Sequence, residues 1–80
     1  MYVIDVSAVD GDSGIEERVS FLWEEGRLSR EHEDGHVSSA GFSSSLGRAL
    51  DKALAACYLV GQRVTEVTIN REETEAVLNG

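Results

Sequence analysis

Apolar and polar side chains alternate near the amino terminus, in the pattern of a half-buried strand. Positions 2, 4, 6 and 8 are Tyr, Ile, Val and Ala, so a strand is predicted from Tyr2 to Val9. Residues 10–14 read Asp-Gly-Asp-Ser-Gly, and these residue types favour turns. A loop should therefore follow the first strand.

Residues 15–25 fit either a helix or a strand. Apolar positions 15, 19 and 22 have helical spacing, and Ser13 with Glu16 would form a capping box. We favour a strand over residues 18–24, because Val-Ser-Phe-Leu-Trp is rich in strand formers and the following Glu-Gly suits a hairpin turn.

The next stretch is predicted to continue the sheet. Residues 27–32 should return antiparallel to the preceding strand. A second turn over residues 33–35, which read Glu-Asp-Gly, then leads into more extended chain over residues 37–42.

A helix is predicted from Leu46 to Val60, where apolar residues recur every three or four positions until Gly61 ends the pattern. Three serines before it offer N-caps. A strand should follow over residues 63–70 and a short C-terminal helix over residues 72–78.

These elements predict one α+β domain over residues 1–80, with an antiparallel sheet of three to four strands packed on one main helix in the order β-β-β-α-β. The period-two and period-3.6 patterns together indicate its core. That predicted core comprises Ile4, Val6, Val19, Phe21, Trp23, Val67 and Ile69 against Leu46, Leu50, Ala53, Leu54 and Cys57.

Charge is distributed unevenly along the chain. Residues 1–36 hold ten carboxylates and three arginines, whereas residues 37–80 hold five carboxylates and four basic residues, which together give a net charge of −8. Such a field repels nucleic acid and acidic membranes, and it attracts basic surfaces. We therefore expect no direct nucleic-acid or membrane binding.

Two short patterns resemble metal sites. His32-Glu33-Asp34-Gly35-His36 matches H-E-x-x-H, but a zinc protease needs these residues on a stable helix, which Asp and Gly disfavour. Residues 10–14 resemble the start of a calcium loop, yet Ile15 and Phe21 stand where its glycine and closing glutamate belong. We expect polar turns at both places, with no metal and no cofactor; metal binding by the two histidines remains open.

No residue set suggests catalysis. Cys57 lies among apolar helix positions without a nearby histidine, and the serines of residues 38–45 lack a nucleophile elbow. A lone cysteine, together with the lack of a signal-like amino terminus, predicts a cytoplasmic protein. The chain is expected not to be an enzyme.

Carboxylates are the remaining candidates for function, as a partner-binding face that competes with phosphates for a basic groove. Exposed parts of Leu22 and Trp23 are the candidate apolar anchor. The oligomeric state is left open between monomer and homodimer. The predicted partner-binding residues are Asp10, Asp12, Glu16, Glu17, Glu24, Glu25, Glu31, Glu33 and Asp34.

In length, acidity and inferred order of elements the whole chain resembles small phage-encoded anti-CRISPR proteins. The resemblance implies an inhibitor that binds a CRISPR effector complex and blocks target DNA binding by DNA mimicry. That class shares no common functional residues, so it assigns none here. The same order of elements also resembles the HicB-type antitoxin domain, which implies neutralisation of a small toxin RNase, although this chain stops ten residues after Asn70.

Overall fold

A five-stranded antiparallel sheet and one helix make up residues 1–71, the part of the chain that the computed structural model describes. The elements are β1 (Tyr2–Asp10), β2 (Glu16–Glu24), β3 (Arg27–Glu31), β4 (Val37–Phe42), α1 (Leu46–Leu59) and β5 (Gln62–Arg71). The strands lie in the order β4-β3-β2-β1-β5. The predicted α+β class is therefore confirmed.

The sheet has five strands where three to four were predicted. The difference arises at β3 and β4, which form a hairpin of their own, with Glu31 opposite Val37 and Arg27 opposite Phe42. Four strands therefore precede the helix. The predicted helix over residues 72–78 lies outside the described residues.

Residues 16–24 form a strand, as favoured from the sequence, because their period-two pattern meets matching apolar residues on β1. Phe21 lies opposite Ile4, and Val19 lies opposite Val6. All four side chains are buried on the face that α1 covers. Cross-strand packing of this kind outweighs the competing helical spacing.

The helix contacts the sheet through its small residues. Ala49, Ala53 and Cys57, spaced four apart, are buried, whereas Leu46, Leu50 and Leu54 pack around them and are only partly buried. Small side chains at the contact let the helix backbone approach the sheet closely, and the leucines then fill the space on either side.

The buried core differs from the predicted core at several positions. Five predicted residues are only partly buried, namely Trp23, Leu46, Leu50, Leu54 and Val67, and three apolar residues outside the predicted core are buried, namely Ala8, Leu28 and Ala49. Ile69 is 39% exposed because β5 is an edge strand, and Val67 is only partly buried. Leu28 on β3 is fully buried beside Trp23, which was not expected from the polar sequence around it.

Both ends of α1 lie where the sequence predicts them, within one residue. Ser45 has extended backbone angles and its Oγ accepts a hydrogen bond from the backbone N–H of Arg48, so it is the N-cap. Gly61 follows the helix with a φ of 79°, a conformation that glycine adopts without strain.

The β2–β3 turn contains a strained residue and yields a stability prediction. Glu25 and Gly26 have φ values of 50° and 82°, as in a type I′ turn, whose first position favours asparagine over glutamate. We expect Glu25→Asn to raise the free energy of unfolding by about 0.5 to 1 kcal/mol. Urea unfolding measures this gain, and an unchanged or lower midpoint would contradict the turn assignment.

Candidate partner-binding surface

Seven of the nine predicted partner-binding residues lie in the half of the sheet that contains the β1–β2 loop and the β3–β4 turn, which we name the acidic end. Val9 is opposite Glu16 where β1 ends and β2 begins, whereas Glu31 is opposite Ser20 at the middle of β2, and the β3–β4 turn follows Glu31 toward the β1–β2 loop. The acidic end comprises Asp10, Asp12, Glu16, Glu17, Glu31, Glu33 and Asp34.

The structure does not bring the other two predicted residues into this group. Glu24 and Glu25 lie at the β2–β3 turn, at the opposite end of the nine-residue strand β2. A strand of this length spans about 26 Å, which is far beyond the Debye length of about 8 Å at physiological ionic strength. Glu24 and Glu25 therefore form a separate, smaller acidic group.

Two carboxylates of the acidic end shape its loops. Asp10 accepts hydrogen bonds from the backbone N–H groups of Ser13 and Asp12, at 3.0 and 2.8 Å, and these bonds lower its pKa. Asp34 accepts one from the backbone N–H of His36 at 3.0 Å, which with the His36 ring lowers its pKa. Any stability that these ionised groups add is present above their unfolded-state pKa and is lost as the pH falls through the lowered value.

Glu17 is also engaged within the fold. The side-chain Nε2 of Gln62 donates a hydrogen bond to Glu17 Oε2 at 2.8 Å, and Gln62 itself is buried. This bond ties the start of β5 to the start of β2 across β1. Reversing the charge of Glu17 would leave a buried amide without its acceptor, so Glu17 is unsuitable for testing binding.

Four carboxylates of the acidic end remain exposed and have no hydrogen bond or ion pair within residues 1–71. In this part of the chain Asp34 is the single carboxylate in ion-pair contact with a basic side chain, 3.2 Å from the His36 ring, so no arginine forms an ion pair with these four groups. The exposed carboxylates without an internal partner are Asp12, Glu16, Glu31 and Glu33.

An open cleft of about 440 Å³ lies between β2 and the β3–β4 turn. Its lining includes four carboxylates and two arginines, so its net charge is negative when its histidines are neutral. Arg30 Nε is buried there without a hydrogen-bond partner within residues 1–71. The charged lining residues are Glu17, Arg18, Arg30, Glu31, His32, Glu33, Asp34 and His36.

The H-E-x-x-H residues form the β3–β4 turn, as a polar turn was predicted. The N–H of His32 donates to the carbonyl of His36 at 2.8 Å, and the two rings stack with centroids 4.1 Å apart. His32 Nε2 lies 2.8 Å from Ser38 Oγ. The helical spacing that a zinc protease requires is therefore not formed, and residues 1–71 contain no group of three or more potential metal ligands.

Apolar side chains are exposed beside the acidic end, where α1 ends. Tyr58, Leu59 and Val60 are 59%, 86% and 59% exposed, and we name them the apolar patch. The β1–β2 loop contacts the following turn, because the N–H of Gly11 donates to the carbonyl of Gly61 at 3.1 Å. The apolar patch is therefore adjacent to the loop that carries Asp12.

The sequence pattern predicts Leu22 and Trp23 as the apolar anchor and does not predict the apolar patch. Trp23 packs against the core, and its Nε1 donates to the carbonyl of Ser43 at 3.2 Å, while Leu22 is half-buried. The signal was present in the sequence, since Leu59 falls outside the repeat of apolar positions that faces the sheet.

Cys57 is buried in the core, where α1 contacts the sheet. It is 2% exposed, and burial raises the pKa of its thiol, so the unreactive protonated form is favoured. This environment agrees with a packing role at the contact between helix and sheet.

No family model, curated protein or solved structure matches the chain. Among residues 1–71, no helix is both long and apolar enough to cross a membrane.

Proposed function

We propose that the chain acts by binding rather than by catalysis, and that its acidic end occupies a basic, nucleic-acid-binding surface of a partner protein. One observation carries the proposal. The exposed carboxylate of Asp12, which has no internal partner, lies in the loop beside the exposed side chains of the apolar patch. Protein interfaces of this kind combine an apolar centre with a charged rim.

The grouping of carboxylates within the acidic end supports competition with phosphates. Carboxylates from β2 and from the β3–β4 hairpin line one open cleft, namely Glu17, Glu31, Glu33 and Asp34. A partner therefore experiences them as one negative field.

The apolar patch would contribute binding free energy that exposed carboxylates do not provide. Exposed ion pairs contribute only about 0.2 to 1 kcal/mol each, so charge guides the encounter more than it holds the complex. Leu59, with 86% of its surface exposed, gains most from being covered by a partner. The acidic end would then orient the partner, and the apolar patch would slow its dissociation.

Within this function, we favour an inhibitor that covers the DNA-binding lysines and arginines of a protein complex such as a CRISPR effector. The support is the acidity and small size of the chain and the grouping of its carboxylates at one end. A cytoplasmic location belongs to the same proposal, since such a target would be met there.

A competition experiment tests the proposed function. Immobilised chain is expected to retain nucleic-acid-binding proteins from a bacterial lysate, and added duplex DNA is expected to displace them, because both occupy one basic surface. Retention should also weaken as salt is raised. Retained proteins that are neither displaced by DNA nor able to bind it would contradict the proposal.

A further inference from the structure

Strand β4 is one of the two edges of the sheet within residues 1–71, and its composition is unusual. It lies at one end of the strand order, and its sequence, Val-Ser-Ser-Ala-Gly-Phe, contains no charged residue, whereas each of the other four strands does. Proteins commonly protect sheet edges with charges, proline or a β-bulge; β4 has no charge and no proline, and its bulge lies between Ser39 and Gly41, so residues 37–39 are its regular, unprotected part. In a chain of net charge −8, it is a place where two copies can meet with little repulsion.

The backbone of β4 offers hydrogen bonds to a further strand. Hydrogen-bonded and non-hydrogen-bonded residue pairs alternate along an antiparallel ladder. Because His32 and His36 form a hydrogen-bonded pair, Arg30 and Ser38 form the next one, and the pairs Glu31–Val37 and Ser29–Ser39 are not hydrogen-bonded to each other. The N–H and C=O groups of Val37 and Ser39 therefore point away from β3. No strand pairs with them in the part of the chain that the structure describes.

Opposite charges flank the two ends of β4. Glu33 and Asp34 lie in the turn before it. At its other end, Lys52 Nζ donates to the carbonyl of Phe42, and Arg27, which is opposite Phe42, has Glu24 opposite it on β2. In an antiparallel pairing of two β4 strands, the acidic turn of each copy lies beside Lys52 of the other.

From the uncharged edge, its free backbone groups and these unlike ends, we propose that a second copy of the chain pairs antiparallel with β4. The resulting two-fold dimer joins two five-stranded sheets into one sheet of ten strands. A six-residue strand is only about 20 Å long, so the interface is small and association depends on concentration. This inference does not rest on the proposed function: it shares Glu33 and Asp34 with the acidic end, but it depends on the edge of β4 and not on Asp12 or Glu16.

Analytical ultracentrifugation from micromolar to millimolar protein tests the dimer. The mass is expected to rise from 8.7 kDa toward twice that value. Ser39→Glu should hold the protein at the monomer mass, because it places one negative charge from each copy in the short, otherwise uncharged interface. Asn70→Glu is the matched control, since it adds the same charge to the other edge strand, β5, and should leave the dimer intact.

Amide hydrogen exchange on the unmodified chain gives a second measurement that needs no variant. The amides of Val37 and Ser39 should become protected as the protein concentration rises, while those of Thr68 and Asn70 should not change. A monomer mass at millimolar concentration overturns the proposal. So does a dimer that survives Ser39→Glu in a folded protein, or one that protects the β5 amides instead.

Discussion

Replacing Phe21 by alanine is expected to lower the free energy of unfolding by about 3 to 5 kcal/mol, because it leaves a cavity at the centre of the core. Phe21 is 1% exposed and is the largest of the fully buried side chains. Domains of this length have a total stability of roughly 4 to 12 kcal/mol. The variant should therefore be partly or wholly unfolded at temperatures where the parent chain is folded.

Phe42→Ala provides the matched control, because it deletes the same atoms from a side chain that is 65% exposed. Its effect should stay within about 0.5 kcal/mol. Urea unfolding, followed by circular dichroism at low protein concentration, compares the two variants. Equal losses of stability in both would contradict the placement of Phe21 in the core.

The sequence predicted the centre of the fold well, because local pattern and tertiary packing agree there. In β1 and β2, period-two alternation places Ile4, Val6, Val19 and Phe21 on one face, and the structure buries all four. The limits of α1 were also predictable, since its serine N-cap and Gly61 act through local backbone geometry.

Features that depend on long-range packing could not be predicted in the same way. The alanines and the leucines of α1 both repeat at helical spacing. The sequence alone does not show which of the two sets contacts the sheet, because this depends on how closely the helix packs against it. Similarly, Leu28 is surrounded by polar residues in the sequence and becomes buried only because it lies beside Trp23 on the covered face. Its burial follows from strand register, which the short β3 segment does not reveal.

The acidic end was predictable in composition and only partly in position. The sequence showed the carboxylates, but the strand directions determine which of them meet. Glu17 and Glu33 are sixteen residues apart and line the same cleft, whereas Glu24 and Glu25, which lie between them in the sequence, are at the other end of β2. This separation provides an internal control, because two similar acidic pairs lie on one molecule at opposite ends of one strand.

Reversing two charges at the acidic end, in Asp12→Lys with Glu16→Lys, is expected to slow association with a DNA-displaceable partner at least about tenfold at low salt. Both side chains are exposed and neither makes a side-chain hydrogen bond within residues 1–71, so the fold should persist. Surface plasmon resonance at two salt concentrations measures the association rate. The difference from the parent chain should shrink at high salt, where the Debye length is shorter.

The matched control is Glu24→Lys with Glu25→Lys, which changes the net charge by the same amount at the other end of β2. If the acidic end binds the partner, this control should alter the association rate much less, because the altered charges lie several Debye lengths away. Equal slowing by both pairs would mean that only net charge matters and that no particular end is used. No slowing by either pair would reduce the carboxylates to a solubilising surface, and the proposed function would then be wrong.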